Sequence, residues 1–273
     1  MRISLNITNY SYDSIRDRLV GVVSAADEAG IDTVWVSDHL VQADPTASFE
    51  EPMLEAYTTL GYLAAVTRRV RLGAMVTAAT FRAPALLVKA VTTLDTLSGG
   101  RAWLGIGAGY QQEEARAMGL DLPPVAERFE RLEETLQIAD RMWSGDESPY
   151  AGKHYRLDRP LGHPRPARRP KVLIGGAGEQ KTLRLVAQYA DACNLFDVPG
   201  GIRPKLDVLA RHCEAVGRPY GEIEKTVSTL AETLPERIEE LAEQGAEHVI
   251  VITRGLWTEE RVAALAPIVR TAG

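Results

Sequence analysis

Val70–Tyr110, VRLGAMVTAATFRAPALLVKAVTTLDTLSGGRAWLGIGAGY, decides the fold. An apolar strand run, Val70–Val76, is followed by a loop and then a helix with both of its signals. Pro84 stands where a first helical turn accepts proline, whose missing N–H would have no partner there anyway. Gly99 and Gly100 stand where a left-handed cap ends a helix. A second run, Ala102–Ile106, then breaks into Gly107-Ala108-Gly109-Tyr110. Strand, helix, strand with one short link each is a βαβ unit. In such units the loop after a strand's carboxyl end is where chemistry is done.

The same rhythm runs outward in both directions. Glu28-Ala29-Gly30-Ile31-Asp32-Thr33-Val34-Trp35-Val36 and Glu243-Gln244-Gly245-Ala246-Glu247-His248-Val249-Ile250-Val251 both stop a helix at glycine, cross a polar link and open a β-branched run. Strands are expected at Ile3–Ile7, Thr33–Ser37, Val70–Val76, Ala102–Ile106, Val172–Gly175, Ala192–Leu195, Lys225–Thr229 and Val249–Ile252. Each is short and apolar on successive positions, as strands covered on both faces are. Between them Phe129, Leu132, Leu136, Ala139 and Trp143 mark one face of a helix over Val125–Trp143. Eight strands alternating with about eight helices predict a (β/α)₈ barrel, one domain over residues 1–273. An open doubly wound sheet fits less well, because no G-x-G-x-x-G follows the first strand. The helix after the seventh strand reads short.

One stretch breaks the rhythm before strand 5. Residues 145–170 hold five prolines and no convincing helix. Past Glu147 they carry Lys153, Arg156, Arg159, Arg165, Arg168 and Arg169 against Asp158 alone. The expectation is an irregular insertion that covers the barrel mouth and attracts an anionic ligand; a solvated loop whose arginines do nothing specific is the alternative.

Composition bounds the function. A net charge of −6 over 273 residues argues against a nucleic-acid partner, which needs a dense cationic surface. No apolar run is long enough to span a bilayer, and MRISLNITNY lacks the basic start and apolar stretch of a signal peptide. A cytoplasmic protein without a membrane partner is expected. Cys193 and Cys213 read as small core residues. No His-x-x-x-His, acid cluster or Cys-x-x-Cys occurs, so no metal is expected. Gly-x-Ser-x-Gly is absent as well.

Three constellations remain. Asp38 and His39 follow the second strand, on what would be the catalytic face, where histidine can move a proton and an acid can hold its ring. A surface corner capped by Asp38 is the plainer reading. Gly175-Gly176-Ala177-Gly178 follows the fifth strand, with Glu179 opening the next helix. Backbone N–H groups and the helix dipole would suit a phosphate there; a turn needing glycine for its dihedrals is the alternative. Gly107, Ala108 and Gly109 either turn the chain or let the backbone approach a planar ring, with Tyr110 on the pocket wall.

ADEAGIDTVWVSDHL, the Val70–Tyr110 stretch, RFERLEETLQIADRMW and LIGGAGEQKTLRLVAQYADACN occur in this order. By them the chain resembles the bacterial luciferase-like flavin and deazaflavin oxidoreductases, most closely the branch using coenzyme F420. The resemblance implies a (β/α)₈ barrel and hydride transfer between the deazaflavin's C5 and a small organic substrate. Asp38 and His39 match the family's acid–histidine pair beside the reactive ring. Met75 and Val76, with Thr77 next to them, match a bulge whose non-prolyl cis peptide backs that ring. Gly107, Ala108, Gly109 and Tyr110 match the loop along the cofactor, and Gly175, Gly176, Ala177, Gly178 and Glu179 the segment at its phosphate. Tyr110 stands where sugar-phosphate dehydrogenases of this family carry glutamate, which argues against their substrate. An FMN monooxygenase of the same fold is the alternative, and a non-catalytic flavin-binding protein a further one. The family commonly forms homodimers.

Overall fold

The computed structural model describes residues 1–272. Eight parallel strands form the barrel: β1 (Arg2–Ile7), β2 (Thr33–Val36), β3 (Arg71–Ala74), β4 (Ala102–Gly107), β5 (Lys171–Gly175), β6 (Ala192–Phe196), β7 (Glu224–Leu230) and β8 (His248–Ile252). Each pairs with its neighbours in sequence, and β1 pairs with β8, so the sheet closes without an edge. Closure is why the strands read as unbroken apolar runs: β2 and β4 are buried at every position. A two-residue extension of β3, Thr77–Ala78, pairs with the end of β4 after a bulge at Met75 and Val76.

The helices around it are α1 (Ile15–Ala29), α2 (Ala56–Val66), α3 (Pro84–Ser98), α4 (Gln112–Met118), α5 (Val125–Ser144), α6 (Thr182–Tyr189), α7 (Arg203–Val216), α8 (Leu234–Glu243) and α9 (Glu259–Ala272). α3 begins on Pro84 and ends where Gly99 takes φ +73°, a conformation open to glycine. Leu132, Leu136, Ala139 and Trp143 of α5 are buried as their spacing demanded. α8, after the seventh strand, runs ten residues, so the barrel count is not broken there. α4 is an extra short helix between β4 and α5 that the periodicity did not mark.

The barrel interior is filled in layers. Trp35, Trp103, Leu173, Ala192 and Ile250 form an inner cluster. Trp35 fits because β3 and β4 face it with glycines: a Cβ on Gly73 would come within 2.5 Å of its ring, and one on Gly105 within 3.2 Å. Below this plug, at the amino ends of the strands, His248 joins Glu224 through Nδ1 at 2.6 Å and Ser4 Oγ through Nε2 at 2.5 Å. Burial pushes the Glu224 carboxyl up, but His248 and Arg2 outweigh it and hold it below the usual range. This Ser–His–Glu chain is sealed in the barrel bottom, away from any opening.

The insertion of residues 145–170 is not where its charge suggested. It contains a short antiparallel ribbon, Tyr150–Ala151 against Arg156–Leu157, and is strapped along α5. The Glu134 carboxylate accepts the N–H groups of Lys153 and Tyr155 at 2.8 and 3.0 Å. Lys153 pairs with Glu130, Arg159 with Glu147, and Arg169 with Asp140 and Asp191. Lys153, Arg159, Arg165 and Arg169 are held by acids of the barrel flank and of the insertion itself, and no residue of 145–170 lines the cavity at the strands' carboxyl ends, so the expectation of a cover over the mouth is corrected. Among the described residues no helix is long and apolar enough to cross a membrane.

Candidate active site

A cavity of about 1450 Å³ opens at the carboxyl end of the barrel. Residues at or just past the end of every strand contribute: Asn6 and Thr8 at β1, Ser37 and His39 after β2, Met75 and Val76 after β3, Gly107 at β4, Gly175 at β5, Asn194 and Phe196 at β6, Ser228 and Thr229 at β7, and Ile252 at β8. Pockets for one small ligand usually run to about 300–1,000 Å³, so this one has room for a cofactor head and a substrate together.

His39 faces this cavity from the turn after β2. Its Nδ1 lies 2.7 Å from Oε2 of Glu114, in the first turn of α4. Glu114 is fully buried, and its other oxygen accepts the Leu40 N–H at 2.5 Å. A carboxylate offers only acceptors, so Nδ1 carries the hydrogen and Nε2 is left as an acceptor for the cavity. Tyr110, 73% exposed at the rim, sets its ring edge-on to the imidazole at 5.9 Å.

Asp38 does not join His39. Its carboxylate is buried behind the wall, where Arg82 grips it with Nη1 at 2.5 Å and Nη2 at 3.0 Å. The same guanidinium reaches Glu55 at 2.5 Å and lies over the Tyr57 ring at 4.8 Å. Burial opposes the Arg82 charge, but these acids more than restore it and push its pKa further up. Both residues lie past the end of β2, where Asp38 turns to Arg82 and His39 to Glu114. Adjacency in sequence did not bring these two groups together. The carboxylate that holds His39 is Glu114, which the sequence reading missed.

The peptide bond between Met75 and Val76 is cis, as the resemblance implied, and both residues line the cavity. Gly107 and Gly175 seat this bulge: a Cβ on either would crowd Val76, at 3.0 and 3.1 Å. Ala108, Gly109 and Gly176 line the cavity too. Thr77 lies behind the wall with its hydroxyl 2.8 Å from that of Tyr57. Gly176, at φ +121°, turns the chain after β5, but the helix opens at Thr182 rather than Glu179. Ala177 and Gly178 fall outside the cavity lining, and Glu179 turns to Lys205 on α7 at 2.6 Å. Thr182, Arg128 and Phe129 line the mouth instead. Arg128 donates to Gly109 O at 2.5 Å, while its buried Nε has no partner. On the floor the Asn6 amide donates to Thr8 and Ser37 at 3.2 Å, and its buried Oδ1 has no partner. Among the described residues no group of acids, histidines and cysteines could hold a metal ion.

The family model described as luciferase-like monooxygenase matches residues 5–266. The chain belongs to that family. It is 31% identical over 214 residues to an F420-dependent glucose-6-phosphate dehydrogenase of Kineococcus radiotolerans, covering 77% of this chain and 62% of that one. It is 31% identical over 183 residues to an F420-dependent hydroxymycolic acid dehydrogenase of Mycobacterium tuberculosis, covering 66% of this chain and 46% of that one. The chain thus spans about half to three-fifths of the length of such relatives. Among solved structures, an F420-dependent secondary alcohol dehydrogenase in complex with an F420–acetone adduct superposes with a TM-score of 0.85 at 16% identity, covering 100% of this chain and 99% of that one. The coenzyme F420-dependent tetrahydromethanopterin reductase of Methanopyrus kandleri gives 0.82 at 16% identity, covering 99% of each chain. At that identity the two attest the barrel fold.

Proposed function

We propose that this chain is a coenzyme F420-dependent oxidoreductase that moves a hydride between the deazaflavin and a small organic substrate, with His39 carrying the matching proton. The observation that carries this reading is the His39–Glu114 pair, which opens onto the same cavity as the cis bulge and the glycine ends of β4 and β5. The relatives named for F420 support the deazaflavin over FMN. The residues present fit such a group. Met75, Val76, Gly107 and Ala108 offer a low wall for a flat ring. Asn6 Oδ1 lacks the donor that a ring N–H would supply, and Arg128 stands at the mouth for a phosphate.

Bound there, the deazaflavin would supply the carbon that takes or gives the hydride. The protein does the rest. The walls of the cavity fix the reacting groups in place and exclude water. Glu114 fixes the His39 tautomer so that Nε2 accepts a substrate hydroxyl proton in one direction and returns it in the other. Asp38 and Arg82 brace the turn that carries His39.

His39→Ala tests the assignment. It should lower turnover roughly 10²–10⁴-fold while F420 affinity changes little. A variant that turns over like the parent would return His39 to a structural role.

A further inference from the structure

Residues 41–52, just past His39, form neither helix nor strand. Ala43, Asp44 and Pro45 of this segment line the cavity. Its flanks are tied down, Leu40 by Glu114 and Glu55 by Arg82. Within it only Gln42 and Asp44 are fully buried, and both are polar. Val41, Ala43 and Phe49 join neither core cluster, although Met53 and Leu54 behind them pack against the larger one. A segment with so little apolar anchorage is held by its polar ties, and opens when they part.

Those ties converge on one atom. The segment's backbone hydrogen bonds, Ala47 N–H to Asp44 O and Glu51 N–H to Ser48 O, stay inside it. So do those of the Gln42 amide, which accepts the Asp44 N–H and donates to Pro52 O. Among the described residues, the two hydrogen bonds that leave the segment both end on Asp44 Oδ2, from Asn9 Nδ2 at 3.0 Å and Gly255 N–H at 2.6 Å. Oδ1 accepts the Thr46 N–H and hydroxyl at 2.8 and 2.7 Å. Burial would push the Asp44 carboxyl up, but these donors hold it below its usual range, so it remains a full acceptor near neutral pH. The far side of the tie is firm. Trp257, buried two residues past Gly255, donates Nε1 to Asn6 O at 2.7 Å, and Arg261 fastens the same turn through Thr253 Oγ1 and Leu256 O at 2.8 and 2.6 Å. Arg254, next to Gly255, is exposed on that turn and lines the cavity, so the tie lies at the mouth itself.

We propose that residues 41–52 are a flap in the cavity wall and that Asp44, a positioning residue, is its latch. With Asp44 bound to Asn9 and Gly255, the flap is closed against the turn after β8, and the wall beside His39 is complete and keeps water out. When those two bonds part, the flap swings between its fixed ends at Leu40 and Glu55, and the mouth widens for the coenzyme to enter and leave. What passes the flap rests on the deazaflavin reading; the latch does not.

Hydrogen exchange of the whole chain, with and without F420, tests this on Asp44→Asn and Asn9→Ala. The first keeps the side chain's shape but turns an NH₂ toward two of the four donors. Exchange over residues 41–52 should quicken at least roughly tenfold in Asp44→Asn, the factor that one lost hydrogen bond to a charged group corresponds to. It should quicken less in Asn9→Ala, which cuts one of the two outward bonds. The barrel strands and the helices should exchange as in the parent. By stopped-flow fluorescence, F420 should leave Asp44→Asn faster by a similar factor. Unchanged exchange over residues 41–52 in both variants would overturn the latch. Faster exchange spread evenly over the barrel would do the same, since Asp44 would then support the whole fold. A loosened flap with F420 leaving at the parental rate would remove its role as the passage. If the parent chain binds no F420, the cofactor reading falls, and exchange alone decides the latch.

Discussion

Glu114→Gln isolates the part of the site that sequence did not show. The parent carboxylate accepts two N–H groups, from His39 Nδ1 at 2.7 Å and Leu40 at 2.5 Å. A glutamine of the same shape has one oxygen and one NH₂ for these two places. If the oxygen stays on Leu40, the NH₂ faces Nδ1 and forces it to accept, which moves the ring hydrogen to Nε2. If the oxygen stays on His39, two donors oppose each other in a buried site. A hydrogen bond to a charged group contributes about 1.5–3 kcal/mol, and an unsatisfied buried donor costs about 1–3 kcal/mol. The first figure corresponds to a roughly 10- to 150-fold loss of turnover if Nε2 must accept the proton. The tautomer itself can be read without a substrate. In ¹⁵N-histidine spectra at alkaline pH, where the imidazole is neutral, His39 should carry its hydrogen on Nδ1 in the parent and on Nε2 in the variant. A His39 with the hydrogen on Nε2 in the parent, or a variant with parental turnover, would refute the reasoning.

Two further outcomes follow from the same geometry. Arg82→Met leaves Asp38 as a buried charge without its partner, and should cost about 3–5 kcal/mol, or a fall of roughly 6–20 °C in melting temperature; adding Asp38→Asn should restore part of it, and a shift below about 2 °C would show that the pair carries little load. Neutralising Arg165, Arg168 and Arg169 together should leave F420 affinity and its salt dependence unchanged, because the insertion lies along α5; a flattened salt dependence would move it back to the mouth.

The barrel was legible because its signals are local. Each strand is an apolar run bounded by a glycine corner, and the eight expected strands fall within about two residues of those observed. The cis bulge and the glycine ends were legible through resemblance. Positions that depend on which way a chain turns were not. Glu113 and Glu114 are chemically alike, and a seven-residue helix is too short for periodicity to mark its inner face; only the fold exposes one and buries the other against His39. Asp38 was paired with His39 by adjacency, but its partner is Arg82, from a loop 44 residues on. The insertion's charge was visible in sequence, but not the acids of α5 that take it up. Glu179-Gln180-Lys181 read as helix, yet they form a turn before Thr182. The Asp44 carboxylate, with Asn9 and Gly255, gathers residues from three loops that no motif links.

The most direct test of the cofactor assignment is a titration of the chain with coenzyme F420 and with FMN side by side, each oxidised and reduced, followed by ligand fluorescence and absorbance. Saturable one-to-one binding of F420, at least tenfold tighter than FMN, is the predicted result. Tight FMN binding with none of F420 would contradict it and make the flavin monooxygenase reading the better account of this cavity.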